Sequence, residues 1–268
     1  MAGMVHVFAH RGSSGAHPEM TRAAFVAAID LARQRGVRLG LECDVHFTAD
    51  GVLGCLHDRT VTRTGRRADG TAPTEGLADL DRSALAAIDF GSWRADLTAE
   101  RALTPEERQF VHLAELLDLV EQARDAGVDV HLAIEAKHPV PRDAEVEAAI
   151  AAELTARGWT GADAPVRMIT FDATAVARMA ELLPELPQTF LVDDAESWAE
   201  VPLRADIAIG PGGRVLADDP DLVARVHAAG RECHVWTLNE PEHIRLALEL
   251  GVDAVTSDFP DRVLDQLA

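Results

Sequence analysis

The chain has 268 residues, of which 47% are apolar and 26% are charged, and its formal net charge at pH 7 is −20. This composition is typical of a globular protein and excludes a collagen, a coiled coil or a disordered chain. Nucleic acids and anionic membrane surfaces attract basic patches, so a chain this acidic is a poor candidate to bind either of them.

The cysteine content and the amino-terminal residues of the chain bear on the cellular compartment in which the protein resides. Cys43, Cys55 and Cys233 are too few and too scattered for a disulfide framework or a zinc ribbon. Residues 1–8 contain neither a basic stretch nor a long apolar run, so no signal peptide is visible. No segment approaches the roughly 20 apolar residues of a membrane span. We therefore expect a cytoplasmic protein without an integral membrane segment, and its oligomeric state stays open.

Short β-rich runs alternate with amphipathic helical patterns along almost the whole chain. The patterns predict strands at 5–9, 38–47, 128–135, 166–171, 188–192, 206–209, 232–237 and 254–257. A turn signal at 49–51 predicts that 52–56 pairs with the second strand as a hairpin. Helices are predicted at 21–34, 112–124, 144–157, 173–183, 195–200, 220–229, 241–250 and 261–267.

Eight strands, each followed by a helix, in about 250 residues are typical of a (β/α)8 TIM barrel. A doubly wound open sheet shares the alternation, but no G-x-G-x-x-G fingerprint follows a strand. One polar segment, residues 58–109, interrupts the alternation after strand two and contains a short helix candidate at 81–88. Its place in the order puts it at the catalytic end of a barrel, so we interpret it as an inserted cap within a single domain spanning 1–268.

Polar side chains cluster where the first three barrel strands end, which is where a TIM barrel builds its active site. They are His10 and Arg11 after strand one, Glu42 and Asp44 on strand two, His57 after the hairpin, and Glu135 and Lys137 on strand three. Residues two apart on a strand point the same way, so Glu42 and Asp44 project together. Three carboxylates brought together would repel one another without a cation, and Mg²⁺ or Ca²⁺ prefers such oxygen ligands.

A cation together with Arg11 and Lys137 would make a positive pocket in an acidic protein, which suits a phosphoryl group. His10 and His57 are candidates for a general acid and a general base. The sequence has no P-loop, which disfavours a nucleotide kinase, and no G-x-S-x-G elbow, which disfavours a serine hydrolase.

Five motifs in the same order resemble those of the glycerophosphodiester phosphodiesterases and cover residues 7 to about 262. They are His10-Arg11-Gly12 with Pro18-Glu19-Met20-Thr21, Glu42-Cys43-Asp44 with Asp50-Gly51 and His57-Asp58, Arg63-Thr64 with Ile88-Asp89-Phe90-Gly91-Ser92-Trp93, Glu135-Ala136-Lys137, and Trp236-Thr237-Leu238-Asn239 with Thr256-Ser257-Asp258-Phe259-Pro260. Met20 departs from that family, which usually has Asn at this position.

The resemblance implies a TIM barrel that hydrolyses glycerophosphodiesters to an alcohol and sn-glycerol 3-phosphate with one divalent cation, Mg²⁺ or Ca²⁺. It implies metal ligands at Glu42, Asp44 and Glu135, acid and base at His10 and His57, and phosphate contacts at Arg11 and Lys137. Glu19 matches a carboxylate next to the site. Trp236 and Phe171 fall where an aromatic wall would meet the glycerol or alcohol moiety, although ordinary barrel packing also accounts for them.

The sequence leaves three alternatives to weigh, and the first of them covers two reactions. The same residues would serve a lysophospholipase D-like reaction, or a phospholipase C-like cleavage that gives a cyclic phosphate. A non-catalytic phosphodiester-binding barrel is of another class and requires a catalytic residue to be missing, which is not observed. An unrelated barrel isomerase requires a glycine-rich phosphate loop after strands seven and eight, where Thr256-Ser257-Asp258-Phe259-Pro260 stands instead.

Overall fold

Eight parallel strands form a barrel surrounded by helices, which confirms the predicted fold. The computed structural model describes residues 5–268, apart from the side chain of residue 100, so residues 1–4 of the segment considered for a signal peptide lie outside it. The strands are β1 (His6–Ala9), β2 (Leu39–Phe47), β3 (Leu53–Cys55), β4 (Val130–Ala136), β5 (Val166–Thr170), β6 (Gln188–Val192), β7 (Ala208–Pro211), β8 (His234–Val235) and β9 (Ala254–Ser257).

The barrel strands pair in the order β7-β6-β5-β4-β2-β1-β9-β8. Parallel bridges from Ile209 to Cys233 and from Gly212 to Trp236 join β7 to β8 and complete the ring. β3 stands outside this order and pairs antiparallel with the end of β2, as the turn signal predicts.

The helices are α1 (Arg22–Arg35), α2 (Arg82–Ala86), α3 (Ala95–Glu100), α4 (Leu113–Asp125), α5 (Asp143–Ala156), α6 (Ala173–Leu182), α7 (Ser197–Glu200), α8 (Gly213–Asp218), α9 (Leu222–Ala228), α10 (Pro241–Leu250) and α11 (Pro260–Leu267), with a 3₁₀ turn at Leu77–Asp79. Local sequence sets their ends: Thr21 caps the start of α1 by accepting from the Ala24 amide, and Gly36 ends it in the left-handed conformation. Within residues 5–268, no helix combines the length and apolar character that crossing a bilayer requires.

The main core lies between the outer face of the barrel and the helices, because each strand alternates its side chains between two faces. On β2, Leu39, Leu41, Cys43 and Val45 belong to this apolar core. The residues between them, Gly40, Glu42 and Asp44, therefore face the barrel interior. This alternation explains how a fully buried strand carries two carboxylates.

Segment 58–109 has a small core that it shares with the residues on either side of it. This core consists of Leu56, Val61, Leu77, Leu80, Leu85, Ile88, Phe90 and Phe110. The rings of Phe90 and Phe110 pack with centroids 5.0 Å apart. Arg94 attaches the segment to the β1–α1 loop by donating to the carbonyls of Ser14, Gly15 and His17 at 2.7–3.2 Å.

Element boundaries differ from the sequence prediction mainly in the second half of the barrel. The strand expected at 232–237 is regular only over His234–Val235, and the strand expected at 206–209 runs over Ala208–Pro211. Two helices, α3 and α8, were not predicted. Both have only six residues, too few for a helical period to show in the sequence.

Candidate active site

Three carboxylates meet at the carboxyl-terminal end of the barrel strands. Asp44 on β2 is the direct register partner of Glu135 on β4, and Glu42 stands two residues earlier on the same face of β2. One oxygen from each of the three carboxylates lies within 4.8 Å of the others, and all three side chains are buried. Parallel register therefore produces the cluster expected from the sequence.

The three carboxylates repel one another when they are ionised, and burial also disfavours their charged forms. Burial, and then the Asp44 charge, raise the pKa of Glu42 well above its usual range. Burial and Asp44 likewise raise the pKa of Glu135 to about 8. Burial acts to raise the pKa of Asp44 too, but Lys137 and Arg11 outweigh it and lower that pKa. Among the described residues, the buried Oδ2 atom of Asp44 accepts no hydrogen bond, although Arg11 lies at ion-pair distance from it. An oxygen-only donor set with such a buried oxygen fits a hard divalent cation.

Two positively charged side chains, Lys137 and Arg11, border the carboxylates. Lys137 Nζ lies 2.8 Å from Glu135 Oε1 and 3.2 Å from Asp44 Oδ1. Arg11 places its Nε 3.4 Å from Asp44 Oδ2, and its backbone amide donates to Glu42 Oε2 at 2.9 Å. Arg11 has a positive φ of 54°, which is unusual for a side chain of this size. That turn brings its amide and its guanidinium to the same carboxylate cluster.

His10, which follows β1, is oriented by a carboxylate from the other end of the chain. Its Nδ1 lies 2.6 Å from Asp258 Oδ1, and its Nε2 lies 4.0 Å from Glu42 Oε2. Ser14 Oγ and Asn239 Nδ2 also donate to Asp258, at 2.8 and 2.6 Å. Burial works against this carboxylate, but these donors lower the pKa of Asp258 to about 2. Asp258 therefore stays ionised and directs Nε2 of His10 towards the carboxylates.

His57 follows β3 and is paired in the same way. Its Nδ1 lies 2.7 Å from Asp58 Oδ1. Burial lowers the pKa of His57 and Arg11 adds to the effect, while Asp44 and Asp58 oppose it. His57 is therefore mostly neutral near pH 7. Both histidines have Nδ1 held by an aspartate, which leaves Nε2 available for proton transfer.

Glu19 lies beside the carboxylate cluster. Arg11 NH1 donates to Glu19 Oε1 at 2.9 Å, and Arg63 from segment 58–109 donates to both oxygens of Glu19 at 2.7 Å. Burial would raise the pKa of Glu19, but Arg63 and Arg11 lower it overall. Glu19 thus joins the β1–α1 loop to that segment through two arginines.

A small hollow opens next to these groups. It is lined by Phe8, His10, Glu42, Ala133, Glu135, Arg167, Ile169, Thr189, Leu191, His234, Trp236 and Thr256. Trp236 Nε1 donates to the Gly210 carbonyl at 2.7 Å, which fixes the indole at the wall. Phe171, 37% exposed, meets Trp236 edge to face with ring centroids 5.3 Å apart.

The floor of this hollow depends on a glycine. Phe8 projects inwards from β1, and a Cβ on Gly40 would lie 2.1 Å from the Phe8 ring. Phe8 and Arg167 also line a second hollow at the amino-terminal end of the strands. These two side chains therefore separate the interior into an upper and a lower part.

Sequence comparison agrees with this geometry. A sequence model of the glycerophosphoryl diester phosphodiesterase family matches residues 10–262. The chain belongs to this family. A relative in Mycobacterium tuberculosis, named probable glycerophosphodiester phosphodiesterase 1, is 34% identical over 98% of this chain and 92% of its own length. The glycerophosphodiester phosphodiesterase of Bacillus altitudinis is 26% identical over 97% of each chain.

Solved structures share the glycerophosphodiester phosphodiesterase fold. A phosphodiesterase from Oleispira antarctica, solved in complex with the product sn-glycerol 3-phosphate, superposes with a TM-score of 0.77 at 26% identity, over 97% of this chain and 95% of that one. A structure from Silicibacter pomeroyi gives a TM-score of 0.81 at 26% identity, covering 100% of this chain and 94% of that one. The resemblance noted in the sequence, the barrel fold and the hydrolase class are thus confirmed.

Every site residue expected from the sequence lies at this end of the barrel, but three further residues belong with them. Asp258 and Asp58 bind the two histidines, and Arg63 binds Asp58 and Glu19. All three stand inside quoted family motifs, which is the only sequence signal that could have found them.

Met20 stands where the family usually has Asn. Its φ of 58° is one that Asn adopts more readily than Met, and its side chain is buried in the core.

Proposed function

We propose that this chain hydrolyses glycerophosphodiesters to an alcohol and sn-glycerol 3-phosphate, using one divalent cation, Mg²⁺ or Ca²⁺. One observation carries the proposal: two histidines, each held at Nδ1 by an aspartate, border the same buried cluster of carboxylates and fixed cations. Family membership supports the reaction class, and the product bound by the Oleispira antarctica neighbour is the one expected here.

In this proposal Glu42, Asp44 and Glu135 hold the cation. When bound, it neutralises negative charge on the phosphoryl group as the reaction proceeds. The support lies in the Oδ2 atom of Asp44, which accepts no hydrogen bond from the described residues, and in the raised pKa of Glu42 and Glu135, since a bound cation would favour their ionised forms.

Arg11 and Lys137 are proposed to bind the phosphate. Both are mostly buried, and both lie within 3.4 Å of Asp44, which holds them beside the carboxylate cluster before substrate arrives. Fixed charges in a site with little water interact more strongly with a phosphodiester than they would in solution, and they need no rearrangement during the reaction.

The two histidines supply the proton transfers. Hydrolysis needs a proton removed from the attacking water and another given to the leaving oxygen. We assign the first step to His57, because its lowered pKa leaves it neutral near pH 7, and the second step to His10. In each case the aspartate at Nδ1 fixes the ring so that Nε2 acts.

The rest of the substrate is proposed to meet aromatic side chains. Trp236 lines the hollow, and Phe171 lies against it with part of its ring in solvent. Such a wall suits the apolar face of a glycerol or alcohol moiety, whose hydroxyls stay free to hydrogen-bond.

Segment 58–109 is proposed to act as a cap within the single domain. It is organised around a small apolar core, and it contacts the site through Asp58, which binds His57, and through Arg63, which binds Glu19. If it serves catalysis, replacing it with a short linker will reduce turnover more than it lowers the melting temperature. Unfolding of the barrel would contradict this role.

The cytoplasm remains our proposed location, supported by Cys43, Cys55 and Cys233, all of which are buried free thiols.

The deciding experiment is turnover of glycerophosphocholine, glycerophosphoethanolamine and glycerophosphoglycerol, with and without EDTA. We expect sn-glycerol 3-phosphate and the free alcohol, and no product in EDTA. A cyclic phosphate, or a lysophosphatidate from a lysophospholipid, would identify the other two phosphodiesterase reactions. Binding without turnover under all conditions would favour the non-catalytic barrel.

A further inference from the structure

Arg63, in segment 58–109, binds two carboxylates that lie next to the active site. Its guanidinium donates to two different carboxylates: NH1 and NH2 each lie 2.7 Å from an oxygen of Glu19, while Nε lies 2.7 Å from Asp58 Oδ2. NH2 also reaches Asp58 Oδ1 at 3.2 Å. This fork-to-fork arrangement uses the planar geometry that only arginine offers.

Each of these carboxylates holds one active-site residue. Asp58 Oδ1 binds Nδ1 of His57 at 2.7 Å, and Glu19 Oε1 binds NH1 of Arg11 at 2.9 Å. Arg63 is therefore linked through one carboxylate to His57, the proposed base, and through another to Arg11, a proposed phosphate ligand. It touches neither of them in the hydrogen bonds that the described residues form.

The cap holds Arg63 in place. Val61, two residues earlier, is fully buried in the small core of segment 58–109, and the Gly65 amide donates to the Val61 carbonyl at 2.7 Å. The guanidinium carbon lies 5.4 Å from the centroid of the Trp93 ring, a cation–π contact within the same segment. The Arg63 side chain is 39% exposed, where a single ion pair would contribute little, but a network with two bidentate partners is the exception.

We propose that Arg63 is a positioning residue that aligns His57 through Asp58 and Arg11 through Glu19, so that the active site is correctly arranged only when the cap is folded. This inference rests on the proposed function for its catalytic consequence. It extends that function by giving the cap a chemical task, which is to fix the orientation of two active-site side chains through the carboxylates that bind them.

The test compares Arg63 with Arg94 in the full-length, metal-loaded protein. Arg94 is a matched control because it also anchors the segment to the β1–α1 loop and lies 5.8 Å from the same Trp93 ring, yet it binds neither Asp58 nor Glu19 in any described contact. Arg63→Ala should lower kcat at least about tenfold, since small misplacements of catalytic groups are costly. Arg94→Ala should change kcat less than about threefold, and neither variant should alter divalent-cation affinity.

Two further readouts separate positioning from folding. Guanidinium ion should restore part of the kcat of Arg63→Ala and none of Arg94→Ala, because it replaces the missing bridge between the carboxylates. Arg63→Lys should fall between wild type and Arg63→Ala, since one ammonium cannot bind both carboxylates bidentately.

The third readout does not depend on activity. In NMR spectra of the full chain, the low-field Nδ1 proton of His57 should be present in wild type and in Arg94→Ala, but weakened or lost in Arg63→Ala. If wild type turns over no glycerophosphodiester, the proposed function fails while this spectrum still tests Arg63. An unchanged His57 signal, or equal kcat losses in the two alanine variants, would overturn the positioning role.

Discussion

The two ends of the barrel arrange their ionisable side chains differently. At the carboxyl-terminal end, Glu42, Asp44 and Glu135 place buried oxygens within 4.8 Å of one another. At the amino-terminal end, Arg38 and His131 share Asp129, with distances of 2.8 and 3.0 Å. The first arrangement brings three like charges together inside the protein, and the second pairs opposite charges between neighbouring strands.

This contrast reflects a common conflict in proteins, in which the arrangement that serves function lowers the stability of the fold. Groups that must bind a ligand remain imperfectly satisfied until it arrives, whereas groups that only support the fold find partners within the chain. Substitutions at the carboxyl-terminal end should therefore reduce activity and relieve the repulsion between carboxylates. Changes at the amino-terminal end should leave activity intact and cost stability.

Removing the divalent cation should have the largest effect. Chelation should abolish turnover, and added Mg²⁺ or Ca²⁺ should restore it, because the three carboxylates then regain the charge that balances them. Glu42→Gln should weaken cation affinity, measured by calorimetric titration, while keeping the acceptor for the Arg11 amide. Full turnover after exhaustive chelation would contradict the proposed site.

The same Glu42→Gln variant should stabilise the metal-free protein. The pKa of Glu42 is raised in the folded state, so its contribution to stability is present at low pH and is lost as pH rises above the unfolded value of about 4.5. Melting temperature against pH should fall less steeply for the variant than for wild type. A lower melting temperature for the metal-free variant at pH 8 would show that the carboxylate cluster is not strained.

Replacing either histidine should have the next largest effect. His10→Ala and His57→Ala should each lower kcat by about 10²–10⁴-fold with cation binding intact. On a nitrophenyl phosphodiester, whose leaving group needs no proton, His10→Ala should recover and His57→Ala should not. Recovery of the wrong variant would reverse the assignment of acid and base, and near-normal turnover of the natural substrate by either variant would exclude the two-histidine mechanism.

A smaller effect is expected from His234, which lies inside the barrel on β8. Burial, with Arg167 acting in the same direction, lowers its pKa to about 4. Below about pH 6.5 the unfolded chain binds a proton that the folded chain does not, so His234 destabilises the fold increasingly as pH falls from 6.5 to 4. With cation present, His234→Gln should flatten the pH dependence of the unfolding free energy in this window. A pH dependence that is the same in His234→Gln and in wild type would contradict this role of the buried imidazole.

The smallest effect should come from the amino-terminal end. Asp129→Asn removes the shared partner of Arg38 and His131, but the side chains of Arg38 and Asp129 are about half exposed. Exposed pairs contribute roughly 0.2–1 kcal/mol each, so the melting temperature should fall by a few degrees at most. Steady-state kinetics should show kcat unchanged. A large loss of activity would mean that the two ends are coupled, against the separation described here.

Strand periodicity made much of the fold and site predictable from sequence. A fully apolar outward face on β2 implies that Glu42 and Asp44 point inwards, and parallel pairing brings Glu135 to them. The role of Asp258 was not predictable in this way, because it stands 248 residues from His10 and meets it only when β1 and β9 pair. Arg63 was missed for a similar reason, since its position depends on an irregular segment with no repeating pattern.

Short elements were the least predictable. α8 spans six residues, and its place is fixed by the Gly213 amide donating to the Trp236 carbonyl, a contact between distant parts of the chain. The regular part of β8 covers only His234–Val235 because its neighbours pair through isolated bridges. Tertiary contacts rather than local propensity set these boundaries.

The Phe8 ring occupies space that a side chain at position 40 would fill, and this affects how substrate enters and products leave. Phe8 and Arg167 line both hollows and stand between them, so they form the floor of the catalytic one. Products released above this floor lie on the side from which substrate binds. The phosphomonoester must therefore depart before the next diester binds, and accumulated product competes directly with substrate.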